Sequence, residues 1–79
     1  MNEIKQLRWR CRRGSLELDL ILLSYLDHRY LTADQAEQRA FQQLLGLEDV
    51  VLMRYLMADE QVVDQSLLAV INHLQGFNL

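Results

Sequence analysis

An all-α fold, a compact five-helix bundle with short connections, is predicted by three features of this sequence. Proline is absent, so no residue type present breaks a helical hydrogen-bond ladder outright. The three glycines, Gly14, Gly46 and Gly76, stand singly between apolar segments, where they punctuate helices. Apolar residues recur three and four apart, the period of one helical face. The β-branched pairs Val50-Val51 and Val62-Val63 lack the alternation and turn signals of strands.

Each helix has its own justification. In the first, Ile4, Leu7 and Cys11 form one apolar stripe, and Trp9 falls on nearly the opposite side with Lys5, Arg12 and Arg13; Gly14 ends it. The second runs from about Ser15 to Tyr30. Its apolar residues, Leu16 to Leu26, cover most of the helical wheel and predict a central helix packed on several faces. The exception is a narrow polar stripe of Glu17, Ser24 and His28, which points to the bundle surface. Thr32 and Gln35 read as a capping box that opens the third helix. Ala33, Ala36, Ala40, Phe41, Leu44 and Leu45 form its buried face, Gln38, Gln42 and Gln43 its solvated one, and Gly46 a left-handed cap. The fourth starts near Glu48 and Asp49, acids suited to a helix N-terminus, with Val51, Leu52, Tyr55 and Leu56 inward. A loop is expected over Ala58 to Val63. The fifth helix runs from Asp64 to Gln75 with Leu67, Leu68, Ile71 and Leu74 inward, closed by Gly76.

Seventy-nine residues make one domain, expected to span 1–79. A chain of this size buries about 60–65% of its unfolded surface, and a hydrophobic share of 51% makes a core feasible without staples. The single cysteine, Cys11, excludes an internal disulfide and fits a reducing cytosol. No stretch approaches the roughly 18 apolar residues of a membrane span, and the basic N-terminus lacks the apolar segment of a signal peptide. A cytoplasmic location is expected.

The net charge of −3 conceals an asymmetry. Residues 1–13 carry Lys5, Arg8, Arg10, Arg12 and Arg13 against Glu3, a local balance of +4; the remaining residues carry three bases and ten acids, a balance of −7. A basic end on an acidic body steers binding toward a partner of complementary charge. Nucleic acid is disfavoured, because the acidic body repels phosphate and no nucleic-acid motif is present.

Catalytic and metal chemistry find little support. Cys11, His28 and His73 are scattered singly, whereas a zinc site needs three or four grouped ligands. No glycine-rich phosphate loop occurs, and Cys11 on the Ile4–Leu7 stripe reads as a buried, inert thiol. His28, near a helix end, suits an interaction with terminal carbonyls, and Met53 and Met57 read as core filler. No catalytic, cofactor-binding or metal-binding residue is therefore expected. The N-terminal constellation stands apart: Trp9, Arg12, Arg13, Gly14 and Glu17 set an aromatic, two guanidinium groups and a carboxylate around a tight inter-helix turn.

The segment Arg13-Gly14-Ser15-Leu16-Glu17 carries an Arg-Gly-x-x-Glu motif, followed by Asp19 and by an acidic-His-x-Tyr ending, Asp27-His28-Arg29-Tyr30. With the upstream Trp9, Phe41-x-x-Leu44-Leu45 and Tyr55-Leu56-Met57, the whole chain resembles the SdhE family of FAD assembly factors. Mitochondrial relatives of that family are called succinate dehydrogenase assembly factor 2. It departs from the family at Glu48-Asp49-Val50-Val51, where an Asp-Asp-Pro-Asp segment is common, at Tyr55, which replaces a tryptophan, and in lacking a His-Gly turn in the following loop. The resemblance implies a five-helix fold and a role in covalent attachment of FAD to a client protein, and a monomer is expected. That client is the flavoprotein subunit of succinate dehydrogenase, with the fumarate reductase flavoprotein as a second. FAD would be attached covalently to the client, which supplies the chemistry, so no intrinsic cofactor is implied. Arg13, Gly14 and Glu17 would meet the client, with Trp9, Arg12, Asp19 and His28 as neighbours on that surface. An antitoxin-like or regulatory module that sequesters a partner protein is the competing expectation.

Overall fold

The computed structural model describes residues 3–58 and 61–77. Among them are five α-helices and no strand: α1 (Glu3–Arg10), α2 (Leu16–His28), α3 (Gln35–Leu45), α4 (Asp49–Leu56) and α5 (Gln65–Gln75). A 3-10 turn, Tyr30–Thr32, follows α2. The radius of gyration, 11.5 Å, matches the roughly 11.6 Å of a well-packed chain of this length.

The stripes read from the sequence meet in one core. Leu7 and Cys11 come from the α1 region and Leu18, Ile21, Leu22, Tyr25 and Leu26 from α2. Phe41 and Leu44 of α3, Leu52 and Leu56 of α4, and Val70, Ile71 and Leu74 of α5 complete it. The Tyr25 and Phe41 rings stack with centroids 4.4 Å apart, and Tyr30 tilts against Phe41 at 5.7 Å. Burying each large apolar side chain contributes about 1.5–3 kcal/mol, so this shared cluster holds together helices too short to persist alone. The most extensive pairing is α3 with α5, while α2 meets α1, the 3-10 turn and α5.

Several local expectations are corrected. The second helix ends at His28 rather than Tyr30, because Arg29 leaves helical geometry at φ −126° and the chain turns Tyr30 into the core. Tyr30 is held there from α3: Gln42 Nε2 donates to its hydroxyl at 2.8 Å and Gln38 Nε2 to its carbonyl at 2.7 Å. Gln38 and Gln42 thus do not form a solvated face. Thr32 does not cap α3, since its hydroxyl donates to the Arg29 carbonyl at 2.9 Å; the cap is Asp34, whose carboxylate accepts from the Glu37 N–H at 2.8 Å. Gly46 is right-handed, at φ −81°, rather than a left-handed cap. Nor is α2 enclosed on every side: Leu16 is 77% and Leu20 56% exposed, because a bundle this small does not cover all of its wheel. Ala36 and Met57 are likewise exposed, so Met53 alone of the two methionines packs against the core.

The loop before α5 carries no helix over the residues described, with 59 and 60 outside them. Val62 tucks into the core, and Asp64 caps α5 by accepting from the Ser66 and Leu67 N–H groups. Among the described residues no helix is long and apolar enough to cross a membrane.

Candidate functional site

The connection from α1 to α2 carries the motif, and its geometry begins with one glycine. Gly14 sits at φ +88°, a conformation that L-residues reach only with strain, and a Cβ built there meets no atom within 4 Å. Glycine is therefore demanded by the backbone rather than by crowding, and the position faces open space. Ser15 follows in extended geometry as the N-cap of α2, with no side-chain capping bond.

On either side of that glycine the polar groups divide into two kinds. Arg13 and Asp19 are engaged within the chain. The Asp19 carboxylate accepts from the Arg13 N–H at 2.6 Å, which ties the first turn of α2 back across the glycine. The Arg13 guanidinium reaches the turn between α3 and α4. Its Nε donates to Asp49 Oδ1 at 2.8 Å and its Nη1 to the Leu45 carbonyl at 2.7 Å and the Arg10 carbonyl at 3.3 Å. Its Nη2 donates to the Leu47 carbonyl. The side chain is only 13% exposed, so it is not the solvated arginine that charge patterning alone permits.

Glu17, Arg12 and Trp9 are of the other kind. Glu17 is exposed in the first turn of α2 and makes no hydrogen bond or ion pair among the described residues. Arg12 is exposed and its side chain is equally free among them. Trp9 is 72% exposed and, with Lys5, Gln6 and Arg10, lines a shallow apolar depression on α1. The opposite face of α1 buries Leu7 and Cys11, as the stripe predicts, and burial pushes the Cys11 thiol up to about 11. At neutral pH it is a protonated packing group.

His28 is not brought to the motif along the helix. Eleven residues separate it from Glu17, about 16 Å at 1.5 Å per residue. Its Nδ1 lies 2.9 Å from the Ser24 carbonyl, the helix-end role expected of it, and its ring is 6.3 Å from that of Phe77. Beside it, Asp27 pairs with Arg8 of α1 at 2.5 Å, and the Arg8 guanidinium holds the Asp27 carboxyl below its ordinary range.

Two groups escaped the sequence reading. Asp49 was read as a helix-terminal acid, and nothing local signals that Arg13, 36 residues earlier, reaches it. The second is a polar cluster around Glu37, which accepts from Tyr25 Oη at 2.6 Å and from Arg29 Nε and Nη2 at 3.0 and 2.9 Å, with His73 Nε2 at 3.8 Å. The spacing of Tyr25 and Arg29, one helical turn apart, was the available signal. Arg29, together with the Tyr25 hydroxyl, depresses the Glu37 carboxyl to about 2. No group of three His, Cys, Asp or Glu side chains placed to hold a metal occurs among the described residues.

The fold is a small all-helical module that displays an open glycine turn, a free carboxylate and an exposed tryptophan. Residues 5–78 match the family described as flavinator of succinate dehydrogenase, and the chain belongs to that family. Similar proteins bear the name FAD assembly factor SdhE. The one from Xylella fastidiosa (strain 9a5c) is 45% identical over 69 residues, covering 87% of this chain and 71% of that protein. That of Methylococcus capsulatus is 39% identical over 76 residues, covering 96% and 92%. That of Pectobacterium atrosepticum is 34% identical over 73 residues, covering 92% and 83%.

Proposed function

We propose that this protein promotes covalent attachment of FAD to the flavoprotein subunit of succinate dehydrogenase, and to that of fumarate reductase as a second client. It acts as a cytoplasmic monomer of one domain, 1–79, without a cofactor of its own. It is not an enzyme: the client supplies the chemistry, and this protein binds the partly assembled client and favours the conformer competent for attachment. Such a role needs tighter binding to that conformer than to others, since equal affinity for both shifts nothing.

The observation that carries this reading is the open turn at Gly14, at φ +88° with free space around it, beside the unpartnered Glu17 carboxylate. The glycine permits close approach of a client backbone, and Glu17 offers an acceptor to a client base. Trp9 and Arg12 extend the surface as an aromatic anchor and a free cation, residue types enriched where interfaces concentrate their energy. His28, about 16 Å along α2 from Glu17, would meet the client only if the contact extends over the length of that helix. Arg13 and Asp19 belong to the surface through the turn they hold.

The test is covalent flavin fluorescence on the client subunit with the wild-type protein, without it, and with variants. Glu17→Ala is expected to stay folded and to lose most flavinylation at limiting concentration. A desolvated charge left without its partner weakens binding by about 2–5 kcal/mol, or thirtyfold to several thousandfold. Gly14→Arg is expected to abolish binding, because the long side chain occupies the open space. Near-normal flavinylation by both variants would remove the turn from the client surface, and equal flavinylation without the protein would end the proposal.

A further inference from the structure

We infer that Arg13 is a positioning residue: it serves the client surface by clamping the α1–α2 turn to the α3–α4 turn, and does not itself pair with the client. The inference rests on the function proposed above for the turn. Four of the five N–H groups of a guanidinium have acceptors here: Asp49 Oδ1 and the carbonyls of Leu45, Leu47 and Arg10. The Leu45 carbonyl lies at the C-terminus of α3, where the helix leaves its last carbonyls unpaired and partly negative, so a guanidinium supplies both the missing donors and the complementary charge. The backbone of the same residue is held separately, by the Asp19 carboxylate at 2.6 Å. Arg13 is thus pinned at both ends, one bond before the glycine whose φ sets the direction of the chain into Glu17.

Pairing with a client carboxylate would require the side chain to abandon acceptors it already satisfies, in a site only 13% exposed. Holding Gly14 and Glu17 in one geometry before the client arrives removes an ordering cost from binding, which is how an arginine engaged within the chain raises affinity without touching the partner. Asp49 becomes part of the same device. It pairs with Arg13 at 2.8 Å, although the two are far apart in sequence.

Asp49→Ala separates the alternatives by sign. If Arg13 met the client directly, removing Asp49 would free the guanidinium and leave binding unchanged or tighter. If Arg13 acts through the clamp, Asp49→Ala reproduces part of the Arg13→Ala loss. The experiment compares Arg13→Ala, Asp49→Ala and the double variant in client flavinylation, and in hydrogen exchange of the two hydrogen-bonded amides that bracket the turn, those of residues 13 and 19, in the free protein. Expected are exchange at least about tenfold faster in the turn of each variant, reduced flavinylation in both, and a double variant no worse than Arg13→Ala alone. Wild-type flavinylation by Asp49→Ala, additive losses in the double variant, or unchanged exchange in the turn would each overturn the clamp. Because exchange is read without the client, it decides the clamp even if the wild-type protein fails to promote flavinylation, a result that would count against the proposed function instead.

Discussion

Two residues with positive φ make opposite demands on the chain. Gly14, at +88°, uses the one residue type that reaches this region without strain, whereas Ala58, at 60°, carries a Cβ there. The left-handed conformation costs an L-residue about 1–2 kcal/mol, so Gly14→Ala should destabilise by that amount although no atom lies near its new methyl. At Ala58 the same strain is already present. Ala58→Gly relieves it but loosens the unfolded chain, a loss of about 0.4–1 kcal/mol, so the net expectation is a small gain, about 0.5 kcal/mol. Urea unfolding of the two variants side by side checks the pair, and destabilisation by Ala58→Gly would show that the methyl contributes packing that outweighs the strain. The turn at Gly14 was legible in the sequence at this scale, because an isolated glycine between two apolar periods marks a break between helices. The destination of the Arg13 side chain was not: its acceptors are mostly backbone carbonyls, which no residue pattern encodes.

Helices were legible where one apolar stripe meets one neighbour, and less so where polar groups work across elements. The face of α1 followed from spacing alone; that of α5 is centred on Val70, Ile71 and Leu74, with Leu67 and Leu68 only partly buried at its edge, so the spacing missed Val70. The start of α3 did not follow from the pattern, because Thr32 and Asp34 are both competent caps; the acid three residues after Asp34 favours the second, and the structure uses it. The glutamines of α3 were misread for a related reason. Amide side chains look solvated in a pattern, yet Gln38 supplies a second donor, beside the Ala33 N–H, for the Tyr30 carbonyl as the chain leaves α2. Gln38→Ala, expected from the pattern to be silent, should therefore cost about 0.5–1.5 kcal/mol, the net worth of one hydrogen bond, with the Ala33 N–H at 3.2 Å still in place. Arg39→Ala, at the exposed neighbouring position with no partner among the described residues, should stay within about 0.5 kcal/mol of wild type. Thermal melts distinguish these, since 1 kcal/mol moves the midpoint of so small a domain by about 4–8 °C. Equal melting of the two variants would return Gln38 to the solvated face.

At the scale of the molecule, Glu37 links three helices through one carboxylate. Tyr25 and Arg29 reach it from α2 and the residue after it, His73 approaches from α5, and its side chain is only 11% exposed. Its carboxyl is held at about 2, below an ordinary 4.5, chiefly by the Arg29 hydrogen bonds. A carboxyl depressed by folding binds its proton more readily in the unfolded chain, so its contribution is fully present above about pH 4.5. That contribution is lost progressively as the pH falls toward about 2. Because the Arg29 guanidinium is partly exposed and screened by solvent, the corresponding stabilisation at neutral pH is on the order of 1–3 kcal/mol, still a substantial share of what a domain of 79 residues possesses. Glu37→Gln keeps the shape and removes the charge. The variant should be markedly less stable than wild type near pH 7, and its stability should fall less steeply below about pH 4.5, so the two unfolding curves converge in acid. Tyr25→Phe should give an intermediate result, because it removes one donor and leaves the bidentate arginine in place. Urea midpoints measured from neutral pH down into acid check this, and parallel acid limbs for wild type and Glu37→Gln would show that another carboxylate carries the pH dependence.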